Sequence, residues 1–339
     1  MFAFGRLLLI DLKTVAARQG RNDAMSFGTA GPNRDALRSL PHLSLLAVAL
    51  TVPFAPAVGR GPAPEPIAAA DPAADAAASR RRERLQAMAE LVAAVKVEVL
   101  GELTAKQPEL VEGARFRFSN PETPCYDATL WLWGTRGRPV AALTLSAERV
   151  DSETPSYWSC ELTSLSGSRL QVAGDGWDWA PTEAGLDFTP LPDAPAPLET
   201  AAGRLRQMKA IARRFDAYGL YDPAGDRRVE LRVLPTPVHR YEDPAADIRE
   251  GALFLLAGGT DPEILLAIEL SETQAGALQW QYALNRISSG KLVARLDGRE
   301  TWNCPALVRP DRGSPYTLFH RPMERELADE PANPDSGKR

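Results

Sequence analysis

The 339-residue sequence predicts an α+β fold built from two tandem copies of one helix-plus-antiparallel-meander module, and three observations carry that reading. Apolar, aromatic and proline positions recur in the same order at a nearly constant spacing. Leu130-Trp131-Leu132-Trp133 falls on Leu253-Phe254-Leu255-Leu256 and Pro139 on Pro262 at an offset of 123; Trp158, Leu162 and Leu165 fall on Trp280, Leu284 and Ile287 at 122; Trp177 falls on Trp302 at 125. Each copy opens on a stripe of helical period and then changes to period two. The breaks between extended segments are too short for parallel crossovers, so they dictate hairpins.

Residues 1–57 read as an export signal, with the true start placed at Met25. A basic stretch holding Arg34 and Arg38 leads into an apolar run, Leu43 to Ala55, that ends in the small residues Ala55-Pro56-Ala57. A comfortable membrane span takes about twenty apolar residues, more than this run offers; the competing reading is an uncleaved anchor. Since no cysteine precedes Cys125, attachment through a lipidated cysteine is excluded. Residues 58–78, with Pro62, Pro64, Pro66 and Pro72, form a Pro/Ala-rich linker that cannot build a core.

The first module is predicted over 79–182. Ser79 is the expected N-cap of a helix whose stripe is Leu85, Met88, Val92, Val95 and Val99. Strands are expected over 114–119, 129–134, 140–149, 157–165 and 169–173, separated by Gly, Pro, Asn and Ser. A second Pro-rich linker over 183–199 divides the chain. The module over 200–305 repeats the plan: a helix with Leu205, Met208, Ala212, Phe215 and Tyr218, stopped by Gly219, then strands over 229–234, 252–257, 264–270, 278–287 and 291–296. Residues 306–339 are expected to be a C-terminal extension with a disordered tail. One helix on one face of a curved antiparallel sheet is the architecture of cystatin-like folds, an analogy that carries no function. Sheet-to-sheet packing is one arrangement open to two such modules.

A net charge of −5 and a pI near 5.5 exclude an ordinary nucleic-acid binder, whose affinity comes from clustered Lys and Arg; Arg80-Arg81-Arg82 is the one basic run. Beyond the signal the histidines are His239 and His320, neither with a second His or a Cys at metal-ligand spacing. There is no H-E-x-x-H, C-x-x-C, P-loop or G-x-G-x-x-G, so no metal and no cofactor are expected. In a meander, Cys125 and Cys160 would lie about 10 Å apart across an intervening strand. A disulfide spans about 7 Å at most, so free thiols are expected unless the loop around Pro121 folds over the sheet edge; Cys304 is odd in either case.

Gly259-Thr260-Asp261-Pro262 reads as a tight turn, Gly supplying positive φ and Pro presetting φ. Asp261, Glu263 and Glu269 are the candidate catalytic carboxylates. Against them stands the plainer reading of a turn and a solvated strand edge, with Leu265 interrupting the face that Glu263 and Glu269 share. Trp179, His239 and Tyr241 are the candidate binding residues. Paired tryptophans suit a sugar-stacking platform, but Trp131, Trp133, Trp158 and Trp177 align with core-like positions, which leaves Trp179 without an aromatic counterpart. His239 aligns with Phe116 and reads as a half-buried strand residue.

Arg240-Tyr241-Glu242-Asp243-Pro244, Gly251-Ala252-Leu253-Phe254, the Gly259 to Glu263 turn, Glu269 and Trp280-Gln281-Tyr282 together resemble a group of exported planctomycete proteins with no known activity, over about residues 200–305. The resemblance is silent on the role of any residue. The first copy departs from it, with Thr135-Arg136-Gly137-Arg138-Pro139 in place of the Gly-Thr-Asp-Pro turn.

These readings converge on an exported, periplasmic or extracellular, non-enzymatic binding or envelope-associated protein. Its unknown ligand is expected to be a glycan or envelope component, with no nucleic-acid partner and no stable membrane span once the signal is cleaved. The contact surface is expected in the groove between the copies or on the turn edge of the second. The alternatives are a carboxylate-dependent hydrolase using Asp261, Glu263 and Glu269, and a structural surface spacer. A hydrolase requires a pocket enclosing at least two of these carboxylates, one of them desolvated; a binder leaves them on solvated edges.

Overall fold

The computed structural model describes residues 72–101, 107–150, 154–221, 227–307 and 313–323. The signal segment, residues 58–71 of the linker and the tail beyond Met323 lie outside the described residues. Strands take 48% of the described residues and helices 15%, in large curled antiparallel sheets, so the described fold is mostly β. This overturns the α+β expectation and the cystatin-like analogy with it.

The cause lies at the helix ends. Helices α1 (Pro72–Ala93) and α2 (Ala201–Ala212) stop earlier than their stripes suggest, and the chain turns at once into β1 (Lys96–Val99) and β9 (Phe215–Leu220). Val99, Phe215 and Tyr218 fit a helical spacing, but Lys-Val-Glu-Val also alternates, and β9 buries every second residue. β-branched and aromatic side chains favour the pleated surface, and here that preference prevails. α1 begins at Pro72, so Ser79 lies inside it and donates from Oγ to Glu83 at 3.3 Å instead of capping. Thr200 caps α2, its Oγ1 accepting from the Gly203 amide at 3.1 Å. Gly219 lies within β9 and does not end the helix.

In the first half, β2 (Phe116–Phe118), β3 (Cys125–Trp133), β4 (Ala141–Glu148) and β5 (Tyr157–Ser164) form an antiparallel meander. β6 (Leu170–Gly174) and β7 (Trp177–Trp179) join β1 in a sheet of order β1-β6-β7. After β8 (Thr189–Pro190), the second half holds β10 (Arg228–Val233), β11 (His239–Asp243), β12 (Ile248–Gly258), β13 (Asp261–Glu272), β14 (Leu278–Arg286), β15 (Lys291–Leu296) and β16 (Arg299–Cys304). Here the sheet order is β16-β15-β9-β10-β12-β13-β14, with β11 also on β12. β10 makes the curl, pairing β9 along its first residues and β12 along its last.

The segments read as linker and extension complete the two sheets crosswise. β8, from the central Pro-rich stretch, adds to β14, and β17 (Tyr316–Pro322), from the C-terminal extension, adds to β5. Each half's meander is therefore finished by the strand that follows the other half. No helix among the described residues is long and apolar enough to cross a membrane.

Strand alternation sorts the side chains into three large cores and a small fourth cluster of Phe118, Cys125 and Ala128. Trp131, Trp133, Leu143, Leu145 and Trp158 pack on Met88 and Val92 of α1. Phe254, Leu256, Leu266 and Trp280 pack on Met208 and Ile211 of α2. The opposite faces meet each other: Leu130, Leu132 and Ala142 lie against Leu253, Leu255, Leu265 and Ala267. Trp179, the candidate sugar platform, is 2% exposed in the first core, and its Nε1 donates to the Ser314 carbonyl at 3.2 Å. A buried clamp recurs on the helix side of both sheets. Asp127 accepts from Arg84 Nε and Arg117 Nε, each at 2.8 Å, and Glu250 accepts from Arg204 Nε at 2.6 Å and from Arg240.

Candidate functional site: an acidic bay between the sheets

β4 and β13 face each other across the central core, and the two ends of their contact differ in charge. At one end Glu269 is fully buried. Arg138 reaches it from the first half as a fork, Nε and Nη2 each at 2.7 Å from one carboxylate oxygen; the Tyr241 hydroxyl donates at 2.7 Å and Gln281 Nε2 at 3.0 Å. A Cβ on Gly251 would lie 2.3 Å from Cε2 of Tyr241, so glycine there lets the ring lie flat on β12. Glu269 and Tyr241 thus form a saturated clasp joining the halves. The solvated-edge reading fails for Glu269, and both residues are already committed to structure.

Six residues back along β13, roughly 20 Å away, the acids are not matched by bases. The turn before β13 docks onto the first half. Gly259 takes φ of +60°, Thr260 Oγ1 donates to the Ser119 carbonyl at 2.7 Å, and half-buried Asp261 accepts from Asn120 Nδ2 at 2.8 Å. Glu263, expected at a solvated edge, is 7% exposed, and its Oε2 has no hydrogen-bond partner among the described residues. Near it stand Glu148, at the end of β4, accepting from the Tyr157 hydroxyl at 2.9 Å, and Glu161 of β5, accepting from the Tyr316 hydroxyl of β17. Tyr221, 38% exposed just past β9, stands beside Glu263. Its ring rests on Gly219, where a Cβ would come within 2.6 Å of it, and that close approach is what Gly219 serves. Arg286 is the cation acting on Glu263, but its guanidinium donates to the carbonyls of Ser288 (2.8 Å), Pro305 (2.9 Å) and Gly290.

Burial dominates the electrostatics. It pushes Glu161 up to about 8, aided by repulsion from Glu263, Glu148 and Asp261 and opposed by the Tyr316 hydroxyl. Glu263 is pushed up to about 7 by burial and then by Asp261, with the Ser288 and Tyr221 hydroxyls and Arg286 pulling the other way. Burial also raises Asp261 and Glu148. The hydroxyls of Tyr157, Tyr221 and Tyr316 are pushed up by burial and then by their carboxylate neighbours, so they remain donors at ordinary pH. Such a bay can hold protons near neutrality, accept donors from a ligand, or supply a proton.

Of the sequence-derived carboxylates, the structure brings Asp261 and Glu263 together and places Glu269 elsewhere. Glu148, Glu161, Tyr157, Tyr221 and Tyr316 escaped the sequence reading. Their signal was the polar alternation Ser146-x-Glu148 and Ser159-x-Glu161-x-Thr163 within otherwise apolar strands. His239 is half-buried beside Tyr241, with ring centroids 6.1 Å apart, and burial followed by Arg115 pushes it down to about 4. His320 sits exposed at the rim of the bay, edge-on to Tyr157 at 5.1 Å. All three cysteines are free, and burial pushes the Cys125 and Cys160 thiols up to about 12. No group of three or more His, Cys, Asp or Glu among the described residues is placed to hold a metal ion. No family model, no curated protein and no solved structure matches the chain.

Proposed function

We propose that this is an exported binding protein whose ligand enters the bay between the two sheets. Glu263 carries the reading: its buried Oε2 makes no hydrogen bond although the Ser288 and Tyr221 hydroxyls lie near it, while its neighbouring acids have hydrogen-bond partners, so it is an acceptor for a ligand to satisfy. Export is supported by the signal-like segment over 1–57, and two halves of one plan by the matched Arg-carboxylate-Arg clamps at Asp127 and Glu250. A thermal-shift screen of the full chain against neutral sugars, amines and small acids tests it. At least one compound should stabilise the wild type and not Glu263→Gln; ligands that act equally on both place binding elsewhere.

A carboxylate hydrolase is the second reading, favoured by the raised, desolvated Glu161 and Glu263, which would offer a general acid near neutral pH. Turnover of chromogenic glycosides or esters that disappears in Glu161→Gln would decide for it.

A further inference from the structure

The two ends of the β4–β13 contact are related by the offset that puts Pro139 on Pro262, and the same offset puts Arg138 on Asp261. At the closed end an arginine fork satisfies a buried carboxylate. At the open end the arginine's counterpart is itself an acid, and Glu148, Glu161 and Glu263 gather near it. Arg286 cannot serve as the missing fork, because three backbone carbonyls occupy it. Glu263, 7% exposed, leaves one oxygen unpartnered, and Tyr157, Tyr221 and Tyr316 add aromatic rings around the acids.

We propose that the bay binds a small organic cation, its ammonium or guanidinium group seated among Glu148, Glu161, Asp261 and Glu263 in the role Arg138 plays for Glu269. This rests on reading the bay as the binding site and names its ligand class. A desolvated carboxylate cluster favours a cation with several N–H donors, or with charge spread over a ring-facing surface. The acids are not spaced as a metal-ligand set among the described residues, which favours the organic class. Binding is linked to protons. The groups facing the cluster are Cys125 from β3, Glu148 from β4, Tyr157 and Glu161 from β5, Tyr221 after β9, Asp261 and Glu263 from β13, Arg286 from β14, and Tyr316 and His320 from β17. Glu161 and Glu263, pushed up to about 8 and about 7, release protons as the cation enters, so affinity rises with pH.

The test is calorimetric titration of the full chain with agmatine and with tetramethylammonium chloride, at fixed ionic strength, near pH 6 and near pH 8.5, in buffers of differing ionisation heat. At least one cation should bind with proton release and gain about tenfold in affinity between the two pH values. The double variant Asp261→Asn with Glu263→Gln should keep a cooperative melt and lose at least about tenfold in affinity. Undiminished binding by that variant overturns the proposal. If glucose or another neutral probe binds in a Glu263-dependent way and the cations do not, the ligand class is wrong while the binding site stands. If calcium or zinc binds with that proton release and the amines do not, the organic class is wrong. If no probe of any class binds, the binding-site reading falls as well.

Discussion

Glu263 and Glu269 point from the same face of one strand and meet opposite fates. Glu269 is a buried ion held by four donors from three residues, and its stability contribution depends on all of them. Arg138→Ala should destabilise the protein by about 3–5 kcal/mol in urea unfolding, since a buried carboxylate would lose its counter-ion. Glu263 has no such partner, and Glu263→Gln should raise thermal stability at mildly alkaline pH. The sign follows from the raised values. Glu161 at about 8 and Glu263 at about 7 hold protons in the folded chain that the unfolded chain, near 4.5, has released. Stability from these groups is therefore fully present below about pH 4.5 and declines as pH rises from there to about 8; the double variant Glu161→Gln with Glu263→Gln should flatten that decline in melting temperature against pH. The sequence named Asp261 and Glu263 but read them as solvated, because the surface that covers them comes from Ser119, Asn120 and Glu148, more than a hundred residues earlier.

Strands were the legible elements. Period two, turn glycines and prolines placed β3, β4, β5, β13, β14 and β15 to within a few residues. The helices were read too far at their C-terminal ends, where valine and aromatic residues satisfied both periods over a short window. β8 and β17 were invisible as sheet members because a two-residue strand in a Pro-rich stretch and an unrepeated extension carry no internal pattern. β17 nonetheless contributes Tyr316, fully buried, and pairs with β5 along its whole length. Deleting the chain from Gly313 onward should expose the β5 edge and the Tyr316 site, giving a protein that aggregates or melts at clearly lower temperature by circular dichroism. Gly219→Val should displace the Tyr221 ring from β9 and weaken binding in the bay with a smaller effect on the melt.

At the scale of the whole molecule, the crosswise completion of the two sheets ties the halves into one folding unit. Leu130 and Leu132 are buried largely by side chains of the second half, and residues after each half finish the sheet of the other. Unfolding followed by tryptophan fluorescence, weighted to the first half, and by circular dichroism should give one coincident transition, and residues 72–199 expressed alone should not fold cooperatively. The face-to-face contact also brings Glu148, Glu161, Asp261 and Glu263, from both halves of the chain, near one another. At one end of the contact Glu269 is fully paired, and at the other the acids stand without an arginine fork of their own.

Carbon-detected NMR titration of the glutamate carboxyls in the full chain tests that account most directly. Two glutamates should titrate near 7 and near 8, and their resonances should vanish from that range in Glu263→Gln and Glu161→Gln respectively. Glutamates that all titrate together near 4.5 would show the bay to be open to water, and the account of it would fail.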